Sequence, residues 1–148
     1  MKEIESVLAG KSVNSLVINA YACNLSDQYW IRPQGSCVTC SDVNFFENEF
    51  SSDLTSVFLG CRSQPRVNNI DLISPDSSSG GNLPKAWTIL NGDRILLKST
   101  AGGACQEPYN EVIGSRLCSV MGIPHVDYSL LKCQNDILSA CSCCIMKD

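Results

Sequence analysis

Asparagine followed by glycine at positions 91 and 92 constrains this chain more than any other pair of its residues. Both central residues of a two-residue type I′ turn need positive φ, and Asn-Gly supplies them at least cost. The flanks fit: Trp87-Thr-Ile-Leu90 and Asp93-Arg-Ile-Leu-Leu-Lys98 are rich in β-branched and apolar residues. Counting outward from the turn pairs Leu90 with Asp93, Ile89 with Arg94, Trp87 with Leu96 and Lys85 with Lys98. Alternation then places Lys85, Trp87, Ile89, Arg94, Leu96 and Lys98 on one face. Two lysines meet there beside an aromatic floor.

The residues after the hairpin predict one helix and two strands. Pro108 suits a first helical turn. Ile113, Leu117, Val120 and Met121 recur at helical spacing and form one apolar stripe. Gly122 closes the helix and Pro124 confirms the stop. Glu111 lies off the stripe, in line with Gly114, Ser115 and Cys118, a face small enough for another element to come close. Val126 to Leu131 alternates like a strand, and Ile137 to Met146 reads as a last apolar strand. Before the hairpin, Ser74 to Pro84 is a Ser/Gly/Pro loop, and residues 61–69 with Pro65 look like a linker. Asp53 to Leu59 fits a short helix capped by Ser51 or Ser52 and ended by Gly60. Residues 1–22 form an amphipathic segment anchored by Leu8, Leu16, Val17 and Ile18.

Composition sets the class. The chain has 148 residues, enough for one domain or a piece of a larger protein. At 44% hydrophobic and 18% charged it is globular rather than disordered. Its net charge of −4 and the lack of a Lys/Arg cluster give no footprint for nucleic acid. Its apolar runs are far below the roughly 20 residues of a membrane helix, and the acidic start, Met1-Lys-Glu-Ile-Glu5, is no secretory signal. The expectation is a cytoplasmic protein, with its ten cysteines as reduced thiols. Cys37-Val-Thr-Cys40 with Cys141-Ser-Cys143-Cys144 is a weak zinc pattern, since the halves lie about 100 residues apart.

The order is therefore polar loop, hairpin ending in lysine, helix with an off-stripe glutamate, strand, strand. That is the order of a protein-kinase small lobe, and its chemistry explains it. ATP phosphates need backbone N–H groups and small residues overhead, hence a Ser/Gly loop. A lysine ending the next strand pairs the phosphates, and a helix carboxylate holds that lysine. Leu96 shares the face of Lys98 and suits part of an adenine floor. A lone lysine at a strand end is usually solvated; the ordered constellation, together with the family resemblance of the same stretches, gives Lys98 a ligand role. Glu107 is the rival of Glu111, but it stands where it would serve the helix dipole.

The same stretches carry a family resemblance. Ser74-Pro-Asp-Ser-Ser-Ser-Gly-Gly-Asn-Leu-Pro-Lys-Ala-Trp87, Asn91 to Lys98 and Gln106-Glu-Pro-Tyr-Asn-Glu-Val-Ile-Gly-Ser-Arg-Leu-Cys118 resemble HipA-like kinases of Clostridia-type bacteria and their phages. Gly122-Ile-Pro-His-Val-Asp-Tyr128 continues the match, as do Leu25-Ser-Asp-Gln-Tyr-Trp-Ile-Arg-Pro33 and Asp42-Val-Asn-Phe-Phe46 upstream. The resemblance implies a Ser/Thr protein-kinase-like fold, ATP with Mg²⁺, and toxin–antitoxin biology, with a protein substrate or antitoxin-like partner. Carried over by position, Lys98 is the phosphate-pairing lysine and Glu111 its helix partner. Ser77, Ser78, Ser79, Gly80 and Gly81 are the phosphate loop, with Lys85 at its far end.

The expected fold class is α+β: an antiparallel sheet plus one helix as a kinase-like small lobe over residues 67–148, preceded by a segment, 1–66, of unknown role. The family's catalytic Asp and its Mg²⁺-binding Asn and Asp lie in the large lobe, expected after residue 148, so this chain alone is expected to be inactive. His125-Val-Asp127 is a decoy for the kinase catalytic loop, because Lys132 stands where the metal-binding Asn belongs. A second class stays open: a non-catalytic module that binds a partner protein, or a truncated remnant. A cysteine zinc module is a third.

Overall fold

The computed structural model describes residues 18, 21–23, 29–51, 55–56, 58–59, 83–101, 104–133 and 135–142. Their architecture is α+β, a four-stranded antiparallel sheet with one long helix. The strands are β1 (Lys85–Leu90), β2 (Asp93–Lys98), β3 (Ser129–Cys133) and β4 (Asp136–Ser142). The helix, α1, spans Glu107–Met121. Spatial order is β1-β2-β4-β3. β2 and β3 each pair antiparallel with β4, so they run parallel to one another, one strand apart. Such a pair needs a crossover; α1 provides it, and β4 returns to fill the gap.

The hairpin forms with the register that its turn dictates. Lys85 faces Lys98, Trp87 faces Leu96 and Leu90 faces Asp93. Asn91 at φ 54° and Gly92 at φ 92° both occupy the left-handed region, as a type I′ turn requires. The Ser99 N–H donates to the Pro84 carbonyl at 2.8 Å and carries the ladder one pair further.

The two sheet faces divide the work. Ala86, Leu97, Leu138 and Ala140 project to one face, where Leu59 completes the buried cluster and Phe58, Ile95, Leu131 and Cys133 flank it. Leu59 arrives on a helical turn: its N–H donates to Thr55, whose own N–H donates to Ser51. The Thr55 hydroxyl also donates to the Trp87 carbonyl on edge strand β1. The opposite face presents Trp87, Arg94, Leu96 and Lys98, with Ser139 and Cys141 from β4. Trp87 packs edge-on to Phe45 and is stacked near Phe50. Arg94 donates to the carbonyls of Phe45 (2.7 Å) and Asn48 (2.9 Å), with its guanidinium over the Phe45 and Phe50 rings. Residues 45–50 are thus bolted to the sheet. Trp87 is core packing for this segment.

β4 is covered on both faces, and its run from Leu138 to Cys141 is buried throughout. Its small Ser, Ala and Cys side chains let both layers approach. α1 lies against β4 and β3, and it does so with its small face: Ser115 is buried, and the Ser115 hydroxyl accepts the Tyr128 N–H. The apolar stripe points the other way, with Leu117 57% and Val120 88% exposed. Periodicity alone turns such a stripe inward; here the close approach to β4 selects the small face instead. Gly122 ends α1 at φ 67°, and the N–H groups of Gly122 and Ile123 satisfy the Cys118 and Ser119 carbonyls.

Two further sequence expectations change. β3 begins at Ser129 rather than Val126, because Tyr128 is drawn out of the ladder by its contacts to Ser115 and Lys98. Ile18, an expected anchor, is exposed; Leu8, Leu16 and Val17 lie outside the described residues. The last strand is described only to Ser142. The linker at 61–69 and the boundary between 66 and 67 also lie outside. Among the described residues no helix is long and apolar enough to cross a membrane.

Candidate functional site

Three elements deliver one polar side chain each to a single point. β2 ends on Lys98, whose alternation aims it at the face that α1 covers. The second turn of α1 supplies Glu111. The residue before β3 is Tyr128. Lys98 Nζ donates to Glu111 Oε1 at 2.9 Å and to the Tyr128 hydroxyl at 2.6 Å. The ammonium also sits 4.6 Å from the centre of the Tyr128 ring. The ion pair is half-buried, with the lysine side chain 18% and the glutamate 28% exposed.

The electrostatics follow from this packing. Burial alone would depress the Lys98 ammonium. Hydrogen bonds to Tyr128 and Glu111, with the Glu111 carboxylate beside them, outweigh burial and hold it above the ordinary lysine value. For Tyr128, burial raises the phenol, Lys98 opposes, and a hydrogen bond with the Cys141 side chain adds to burial. The net direction is upward. At neutral pH the site therefore pairs a cation with a neutral phenol. An ammonium has three donors. Glu111 and Tyr128 take two, and among the described residues nothing takes the third.

The structure brings Lys98 and Glu111 together as the sequence expected. Leu96 is half-buried on the same face, between Trp87 and Cys141 in register. Lys85 stands directly across from Lys98. Ser77, Ser78, Ser79, Gly80 and Gly81 lie outside the described residues. Glu107 opens α1, one turn before Glu111. His125 contacts the Ile123 carbonyl through Nδ1 and Asp127 through Nε2, in the coil before β3. Cys37 and Cys40 are exposed and Cys141 is buried. Among the described residues no three His, Cys, Asp or Glu side chains gather where a metal could sit; Cys143 and Cys144 lie outside.

Sequence reasoning missed Tyr128. The residue was visible at the end of the Gly122–Tyr128 run, but nothing local tied it to Lys98, thirty positions away. The only hint was a polar aromatic just ahead of a strand. Compared with protein-family models, with curated proteins and with solved structures, the chain finds no match.

Proposed function

We propose that this chain forms the ATP-phosphate-binding small lobe of a HipA-like protein kinase. The observation that carries the proposal is the 2.9 Å pair between a strand-terminal lysine and a helix glutamate. In protein kinases a strand lysine grips the phosphates while a helix glutamate holds it. The chain order fits the same plan: hairpin, helix, then two strands that close the sheet. Glu111 fixes the flexible lysine stem, and the half-buried setting strengthens its field over that of a solvated lysine. The third N–H of Lys98 is the donor for a phosphate oxygen. Leu96 lies on the same face, placed to meet an apolar base.

ATP would supply the phosphoryl group. The residues of this chain would bind and orient its phosphates. Mg²⁺ ligands and the catalytic aspartate belong, on this reading, to a large lobe. The chain by itself is expected to transfer no phosphoryl group; incorporation of label from radioactive ATP by the purified chain would refute that. The direct test is ATP affinity by calorimetry with Mg²⁺ present. Lys98→Met should weaken binding at least about tenfold, a loss worth about 1.4 kcal/mol. Equal affinity in the variant and the parent would overturn the assignment.

The outward apolar stripe of α1 favours a second reading, a non-catalytic module that binds a partner protein. A chain that binds no ATP, yet forms a defined complex with a second protein and loses that complex with Leu117→Glu, would establish it; aggregation of the chain alone would not.

A further inference from the structure

We propose that Tyr128 is a positioning residue for Lys98, one that fixes the direction of the lysine's remaining N–H toward an anion. This inference rests on the phosphate-binding reading of Lys98. The phenol adds geometry without charge. Glu111 already balances the ammonium, and a second carboxylate would leave the site net negative and repel a phosphate. A neutral hydroxyl at 2.6 Å occupies a second corner of the ammonium and leaves the charge balance unchanged. With one partner, the ammonium of a four-carbon stem can swing about its single hydrogen bond. With two partners on different elements, the third N–H has one direction.

Tyr128 is itself held for this task. Its N–H donates to the buried Ser115 hydroxyl on α1. Its phenol bonds the side chain of Cys141 on β4, a buried residue on the same face as Ser139, the register partner of Lys98, and two positions beyond it. Its ring lies against the ammonium at 4.6 Å. Tyr128 therefore links helix, central strand and lysine. The titratable groups around Lys98 are Glu111 on α1, Tyr128 before β3, Cys141 on β4 and Lys85 across on β1.

Tyr128→Phe removes only the hydroxyl and keeps the ring. The test is a double-mutant cycle on ATP affinity with Lys98→Met, using the whole chain and Mg²⁺. Tyr128→Phe should weaken ATP binding about three- to tenfold, and should change nothing in the Lys98→Met background. The alkaline limit of ATP binding should also move to lower pH in Tyr128→Phe, since the phenol helps keep Lys98 protonated. A merely structural role would not shift that limit. If Lys98→Met weakens binding but Tyr128→Phe matches the parent at every pH, the positioning role is wrong and the phosphate reading stands. If Lys98→Met itself has no effect, the phosphate reading falls and this inference with it. A second measurement needs no Tyr128 variant. In a tyrosine absorbance titration, Lys98→Met should move one of the four tyrosines to higher pH; no movement would overturn the contact on which the proposal stands.

Discussion

Gly114 offers a test in which sequence pattern and packing give opposite signs. It lies mid-helix on the small-residue face that α1 turns to the sheet. Pattern alone says that a larger side chain there would push the helix off β4. The structure says otherwise: among the described residues, a Cβ on Gly114 meets nothing within 4 Å. No steric penalty then offsets the gain in helix propensity, which is about 0.5–1 kcal/mol for glycine to alanine. For a chain of this size about 1 kcal/mol is worth about 2–4 °C in Tm. Gly114→Ala should therefore raise Tm by about 1–4 °C. In urea the midpoint should rise with an unchanged slope. Far-UV circular dichroism at the helix band reads both. Ser115→Ala is the paired control, one residue on. It leaves the half-buried Tyr128 N–H without its acceptor, which costs about 1 kcal/mol, so Tm should fall. A fall in both variants would show that α1 touches a neighbour at Gly114, and the packing described for this face would be wrong.

Three further outcomes are expected. Leu138 is fully buried at the centre of the core cluster, so Leu138→Ala should cost about 3–5 kcal/mol, read as a lower urea midpoint; a cost under about 1 kcal/mol would contradict the core assignment. Gly92→Ala places a Cβ at φ 92° in the hairpin turn and should cost about 1–2 kcal/mol, whereas an unchanged Tm would mean that the turn is not type I′. Lys98 and Tyr128 both have folded values above their ordinary ones, so the folded chain holds protons that the unfolded chain releases. Stability is then whole below the unfolded values, about 10 for tyrosine and about 10.4 for lysine. It falls as pH rises through the folded ones. Tyr128→Phe should flatten that alkaline decline, since it removes one raised group and lowers the other, and an unchanged slope would refute the coupling.

Legibility tracked how local the physics was. The Asn91-Gly92 turn carries its own register, so every β1–β2 pair could be counted before folding. The helix end at Gly122 was equally local. The Lys98–Glu111 pair was legible through the order of loop, hairpin and helix shared with a protein-kinase small lobe and through the family resemblance; alternation and helix spacing fix only the face on which each residue lies. Tyr128 was not, because its role depends on where β3 starts relative to β2, a tertiary relation with no periodicity. The outward stripe escaped for a similar reason: hydrophobic spacing marks a face, but β4 chose the opposite one through the small size of Ser139 and Cys141, the residues it turns toward α1. Arg94 gave no sign of its grip on Phe45 and Asn48, some 46 to 49 positions upstream.

The position of β4 fixes the order in which this protein can assemble. It follows the other three strands in sequence, yet it is interior to the sheet. A ribosome delivers the hairpin, the helix and β3 before it. Until β4 inserts, β2 and β3 have no shared neighbour. Ser139 and Cys141 are then missing from beside Lys98 and Tyr128. The lysine site is thus a late product of synthesis: a nascent chain gains it at the same step that closes the sheet. Anion binding at Lys98 would then report completed folding, with half-made chains unable to bind.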